Sequence, residues 1–297
     1  MKRRNFLSLA GVGGFGLAYG GHRYLSFQYP LSYKNCPAIT TADASPQLRF
    51  AVLGDVGLPE RGQYRLARTL GCYSKVNPLS FVLLAGDNIY EHGEIEKVKA
   101  AFEIPYQELL QQQIKFYAVL GNHDIQTNNG IDQIAYKPFN MQGRYYTFEQ
   151  GDLRFFALDT NPEADWHQQL SWLEKELANT KQPWKIVFGH HQIYSSGRYG
   201  MNPELIDRLT PLFSRYGVQL YINGHEHHYE RTKPIAGTTY LTCGAGATVR
   251  PVGRSDWTAY SLAKLSFAAI EVYSNRLEIL GVSVDGRTFD RAEITHV

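Results

Sequence analysis

The sequence predicts a mixed α/β fold, a four-layer αββα sandwich of two mixed sheets. Three observations predict it. Short apolar runs alternate with helical patterns through most of the chain, five of these runs end in glycine next to a polar residue, and the tail after Lys264 changes to strands joined by tight turns. Strand–helix alternation makes parallel βαβ units. Hairpins make antiparallel pairs, so one fold is expected to contain both.

The chain of 297 residues, 43% apolar and 20% charged, is long enough to bury a sizeable core. It opens Met1-Lys2-Arg3-Arg4-Asn5-Phe6-Leu7, and an apolar, glycine-rich stretch continues to about Tyr19. A charged segment before a short apolar one is the layout of a secretory signal. Arg3-Arg4 ahead of Phe6-Leu7 resembles the bacterial twin-arginine signal. No A-x-A cleavage site stands out. Residues 1–23 therefore read as a signal peptide or an N-terminal anchor, 24–46 as a polar linker and 47–297 as the folded domain. The expected location is periplasmic or secreted, or membrane-attached if the leader stays. No other stretch is long and apolar enough to span a bilayer.

Taking Lys2, Arg3 and Arg4 from the formal charge of +2 leaves −1, so the body carries no electrostatic footprint for nucleic acid. Cys36, Cys72 and Cys243 contain no CxxC pair, which argues against a structural zinc site. They leave two readings open: one disulfide of unassigned pairing with a thiol over, or three small buried residues.

In chain order, Phe50 to Leu53 leads to Gly54-Asp55, and Phe81 to Leu84 leads through Ala85 to Gly86-Asp87. Phe116 to Leu120 leads to Gly121-Asn122, Ile186 to Phe188 to Gly189-His190, and Leu220 to Ile222 through Asn223 to Gly224-His225. Such runs read as buried strands. Between them, Asp165 to Asn179 sets Trp166, Leu170, Leu173 and Leu177 on one helical face. Pro203 to Tyr216 does the same with Leu205, Leu209, Leu212 and Phe213, Pro203 suiting the first helical position. A hairpin is expected from Tyr145–Phe148 and Leu153–Leu158 around Gln150-Gly151-Asp152. Strands are expected at Leu265–Tyr273, Leu277–Val284 and Phe289–Ile294, with Ser274-Asn275 and Asp285-Gly286 between them.

Ligands of parallel sheets sit beyond the carboxyl ends of the strands. The largely parallel arrangement would deliver Asp55, Asp87, Asn122, His190 and His225 to one rim. One Gly-Asp is ordinary turn chemistry, and one Gly-His is ordinary capping. Five strand ends of this kind exceed turn chemistry, which favours Gly, Asn and Asp but not His. In Gly224-His225-Glu226-His227-His228-Tyr229-Glu230-Arg231, His225 and His227 face one site if the backbone is extended, and His228 points elsewhere. Tyr90 follows Asp87 by three residues, so a single turn can bring both to one metal. The set holds carboxylates, an amide, imidazoles and a phenol but no thiolate, which suits Fe, Mn or Zn. It is too large for one tetrahedral zinc. Two metals sharing a carboxylate fit it better, and such pairs clamp an in-line displacement and yield hydroxide near neutral pH.

Gly54-Asp55-Val56-Gly57, Gly86-Asp87-Asn88-Ile89-Tyr90, Gly121-Asn122-His123-Asp124, Gly189-His190 and Gly224-His225-Glu226-His227 resemble the five motifs of calcineurin-like metallophosphoesterases. Tyr90 narrows the resemblance to the purple acid phosphatase branch, and the compact spacing is most similar to its small, tartrate-resistant type. The likeness runs in order from about Arg49 to Gly246, with Leu158-Asp159-Thr160 and Gln169 to Leu173 included. It implies a metal-dependent phosphoric ester hydrolase. It also implies a first metal on Asp55, Asp87, Tyr90 and His227, with Asp87 bridging, and a second on Asn122, His190 and His225. A tyrosinate implies Fe(III), paired with divalent Fe, Zn or Mn. His123 would donate a proton to the leaving group or bind phosphate, with Asn122 also on the substrate and His191 lining the rim.

One departure stands out. The family often has a further histidine nine or ten residues after the position of His190, where this chain has Tyr199 and Gly200. Arg198 is nearby to bind a phosphate oxygen, and acid–base work rests on His123 alone. The expected function is hydrolysis of small phosphate monoesters by metal-bound hydroxide, outside the cytoplasm. The alternatives are a phosphodiesterase or nucleotide-cleaving enzyme on the same site, and a non-catalytic metal- or phosphate-binding protein. The oligomeric state is open.

Overall fold

The computed structural model describes residues 36–40 and 45–295. The leader and most of the expected linker lie outside the described residues. Residues 36–40 run against the body: Cys36 is bonded to Cys72 with Cα atoms 5.7 Å apart, and the Thr40 carbonyl accepts from Asn77. That settles the cysteine pairing, with Cys243 free and buried. Closing a loop of this length is worth about 4 kcal/mol on a chain-entropy view. Among the described residues, no helix is long and apolar enough to cross a membrane.

Strand β1 (Leu48–Leu53) is followed by helix α1 (Arg61–Val76), β2 (Phe81–Leu84), the short α2 (Gln107–Gln111), β3 (Lys115–Ala118) and α3 (Ile131–Ala135). The hairpin β4 (Tyr146–Gln150) and β5 (Leu153–Ala157), α4 (Trp166–Asn179), β6 (Trp184–Phe188), α5 (Pro203–Tyr216) and β7 (Leu220–Asn223) come next. Strands β8 (Tyr229–Thr232), β9 (Thr239–Cys243), β10 (Thr258–Leu262), β11 (Ser266–Val272), β12 (Arg276–Ser283) and β13 (Thr288–Thr295) complete the chain. Asp165 caps α4 through the Gln168 N–H, and Asn202 caps α5 ahead of Pro203.

The strands form two sheets, ordered β13-β12-β11-β1-β2-β3 and β10-β8-β9-β7-β6-β5-β4. Both are mixed. β1, β2 and β3 are parallel and the tail strands antiparallel; β5, β6, β7 and β9 are parallel between antiparallel edges. This corrects the simplest sequence expectation of five strands at one parallel rim. Three of the five lie in the first sheet and two in the second, and the rim is shared between sheets.

Side-chain alternation builds the layers. Phe50, Val52, Phe81 and Leu83 join Phe155, Ile186, Phe188 and Ile222 in a core between the sheets. The alternate residues Ala51, Leu53, Val82 and Leu84 pack under Leu66 and Leu70 of α1 and Leu109 of α2. Phe156, Val187 and Tyr221 pack against Leu173 and Leu177 of α4 and Leu209 and Phe213 of α5. Since successive strand residues face opposite ways, two sheets each buried on both faces give the order αββα.

Candidate metal centre

The parallel strands of both sheets point their carboxyl ends at one cleft. The crossing there is tight. A Cβ on Gly54 would lie 2.8 Å from Gly224 Cα, and one on Gly224 would lie 2.6 Å from both Asp55 Oδ2 and Ala85 O. Only glycine lets the two sheets approach so closely. Asp55, Asp87 and His225 all take left-handed backbone, with φ of 57°, 53° and 65°. Asp and His tolerate this region better than most residues, yet each such position stores roughly 1–3 kcal/mol that the surroundings must hold. His225 and His227 therefore share the cleft through a bent backbone, not the extended one that their spacing suggests.

The side chains meet in two groups. In the first, Tyr90 Oη lies 3.1 Å from Asp55 Oδ1, 2.8 Å from Asp87 Oδ2 and 3.4 Å from His227 Nε2, and His227 Nε2 lies 3.2 Å from Asp55 Oδ1. In the second, His190 Nε2 lies 3.1 Å from Asn122 Oδ1, 3.2 Å from His225 Nδ1 and 3.4 Å from Asp87 Oδ1. Asp87 belongs to both. Ligand atoms about 3 Å apart are what metal bonds of about 2.1 Å require, so the donor sets suit two cations. The His191 ring stands 4.6 Å from that of His225 and belongs to a possible metal-holding group with His190 and His225. It is a further imidazole at the second group, beyond the rim position expected for it.

Electrostatics agree. Asp55 and Asp87 are buried side by side, which is costly without positive charge. Burial and the two carboxylates raise the Tyr90 phenol well above its usual range. Burial opposes protonation of His190, but Asp87 and Asp55 outweigh it and raise its pKa. Burial, then His190, lowers His191 to about 3, and burial with His190 and His191 also lowers His225.

A second layer orients these groups. His190 Nδ1 is 2.9 Å from Ala85 O, which places the proton on Nδ1 and leaves Nε2 for the cleft. His227 Nδ1 similarly meets Thr248 Oγ1 at 2.5 Å. The Asp124 carboxylate accepts the backbone N–H groups of Asn88, Ile89 and Gly121, and that of the Gln133 amide. One buried carboxylate thus ties the Asp87 loop to the Asn122 loop. Gln169 on α4 brackets the Asp159 backbone, and Thr160 Oγ1 then accepts from the backbone N–H of His190 and His191. The sequence pattern marks these residues without revealing what they hold.

His123 leans on Tyr90, with ring centroids 4.5 Å apart. Its Nδ1 meets Glu91 O at 2.6 Å and its Nε2 stands 4.0 Å from Asp87 Oδ2. His228 points away into a buried cluster between Glu226 and Glu230. Arg198 is exposed beside the Tyr199 ring. Sequence reasoning misses Arg250, whose Nη1 lies 3.3 Å from His225 O; a lone arginine in a Gly- and Pro-rich loop gives no signal.

Comparison with known proteins agrees with this geometry. Residues 48–229 match the family model described as calcineurin-like phosphoesterase. Purple acid phosphatase 7 of Arabidopsis thaliana is 26% identical over 287 residues, covering 84% of this chain and 86% of that protein. Human tartrate-resistant acid phosphatase type 5 is 26% identical over 301 residues, covering 84% and 92%. The structure of a purple acid phosphatase from yellow lupin (Lupinus luteus) seeds superposes with a TM-score of 0.71 at 21% identity, over 84% of this chain and 53% of that one, and supports the fold.

Proposed function

Since the chain belongs to the calcineurin-like phosphoesterase family and is a metal-dependent phosphoric ester hydrolase similar to the acid phosphatases, we propose that it is an exported, two-metal phosphomonoesterase. The observation that carries this reading is the pair of donor groups sharing Asp87. Asp55, Asp87, Tyr90 and His227 would hold one metal, and Asp87, Asn122, His190 and His225 the other. Tyr90 beside two carboxylates favours Fe(III) at the first position, with Fe, Zn or Mn at the second. When bound, the metals supply charge for the phosphate oxygens and acidify water.

The chain's own residues do the rest. Asn122 and His123 leave one strand end, so both reach a phosphate held in the cleft. Glu91 O holds His123 through Nδ1, which leaves Nε2 facing the cleft, 4.0 Å from Asp87 Oδ2. In hydrolysis a water oxygen bonds to phosphorus, the bond from phosphorus to the ester oxygen breaks, and His123 Nε2–H would protonate that oxygen as it departs. His191, neutral and with Nδ1 engaged by Thr160, offers Nε2–H to a phosphate oxygen.

The Cys36–Cys72 disulfide supports an oxidising destination, in keeping with Arg3-Arg4 ahead of an apolar stretch. The test is turnover of p-nitrophenyl phosphate against its bis-ester by metal-loaded protein, with cell fractionation for location. A preference for the bis-ester would overturn the monoesterase assignment, and protein confined to the cytoplasm would overturn export.

A further inference from the structure

The rim beside His225 is not used by the chemistry above. The Tyr199 ring stacks on the His225 ring with centroids 4.5 Å apart and planes 21° from parallel, yet Tyr199 stays 45% exposed. The guanidinium groups of Arg198 and Arg250 stand 5.5 Å and 5.7 Å from its centroid. Neither forms an ion pair among the described residues. Met201 and Val249 are exposed on the same two loops, so three of the six exposed large hydrophobics described flank this one place. Exposed apolar groups gathered at a cleft mark a binding surface.

The rim is also prebuilt. Glu226, fully buried between His225 and His227, accepts the backbone N–H of Tyr199 at 2.6 Å and of Arg198 at 3.1 Å, and the Ser195 hydroxyl at 3.2 Å. Glu230 accepts the Ser196 N–H at 2.7 Å. The second loop is joined on by Gly253 N–H to Ser196 O and Arg250 N–H to His227 O. Little ordering remains to be done when a ligand arrives.

We propose that Tyr199, Arg198 and Arg250 form a subsite for the organic part of the substrate, one that takes a flat aromatic ring together with a second phosphate, as in a nucleoside diphosphate. The inference rests on the phosphomonoesterase reading. Tyrosine offers an aromatic surface for a base, and two guanidinium groups with no carboxylate partner among the described residues, Arg250 giving one N–H to His225 O, offer planar donors for a phosphate. A small aliphatic ester such as glycerol 2-phosphate presents neither partner.

The test compares ADP with glycerol 2-phosphate on the metal-loaded full chain, for wild type, Tyr199→Ala and the double variant Arg198→Gln with Arg250→Gln. Metal content is followed in each, because Tyr199 touches His225. The wild type should prefer ADP. Each variant should cut the ratio of kcat/KM for ADP over glycerol 2-phosphate by about tenfold, mainly through KM. A ratio that stays the same, including equal losses on both esters, overturns the subsite. If the wild type hydrolyses neither ester, the monoesterase reading fails separately, and calorimetric affinity for ADP decides the subsite. About tenfold weaker binding in Tyr199→Ala then supports it, and equal affinities overturn it.

Discussion

The floor of the cleft and its rim are built by opposite means. On the floor, donor side chains leave strand ends whose backbone is forced into left-handed conformations at Asp55, Asp87 and His225. Close-packed glycines such as Gly224 leave no space beside them. On the rim, Tyr199 is exposed and Arg198 projects from the same loop, while buried Glu226 and Glu230 hold that loop by its backbone. A substitution on the floor disturbs two sheets at once. One on the rim changes chiefly what solvent and substrate meet, reaching the floor through the Tyr199 contact with His225. Reaction chemistry and substrate choice are thereby separated within one cleft.

Asp55→Ala should have the largest effect. It removes a floor donor and the acceptor for the His225 backbone N–H, and turnover should fall by more than about 10⁴-fold. Phosphate-release assays read this directly, and a loss below a hundredfold would mean that the first donor group is dispensable. Next comes His123→Ala, which should retain its metals and lose about 10²–10⁴ in rate. Esters with poor alkoxide leaving groups should suffer most and p-nitrophenyl phosphate least, whereas equal losses would rule out proton donation.

Asp124→Asn should weaken metal affinity by about 10–100-fold, since the carboxylate orients two ligand-bearing loops. Competition with a chelator measures it, and unchanged affinity would show that the loops hold themselves. Glu226→Gln is the smallest and the most pointed test of the division between floor and rim. Weakening the charge-assisted bonds to Arg198 and Tyr199 should raise KM for ADP about tenfold at unchanged metal content. Loss of metal would move Glu226 to the floor.

The floor is largely legible in the sequence because its signals are local: an apolar run, a glycine and a donor, repeated five times. The tail strands and the hairpin β4–β5 are legible for the same reason. The division of strands between sheets is not, since alternation shows that both faces are buried but not which neighbour lies alongside. Helix α1 escapes notice because Gln63, Thr69 and Ser74 are buried with Leu66 and Leu70, blurring its apolar stripe. Strand β8 is hidden by Glu230 and Arg231, whose charges are satisfied by Thr258 and Ser196 and by Asp290. Tyr199 registers in the sequence only as a missing histidine. Its stacking on His225 is a tertiary contact that no local pattern carries.

The central claim is that Asp87 joins two donor groups into one two-metal centre. Elemental analysis of the purified wild type and of Asp87→Ala tests it most directly. The account predicts two metals per chain in the wild type, at least one of them iron, and almost none in the variant. One metal per wild-type chain, or two retained by Asp87→Ala, would contradict it.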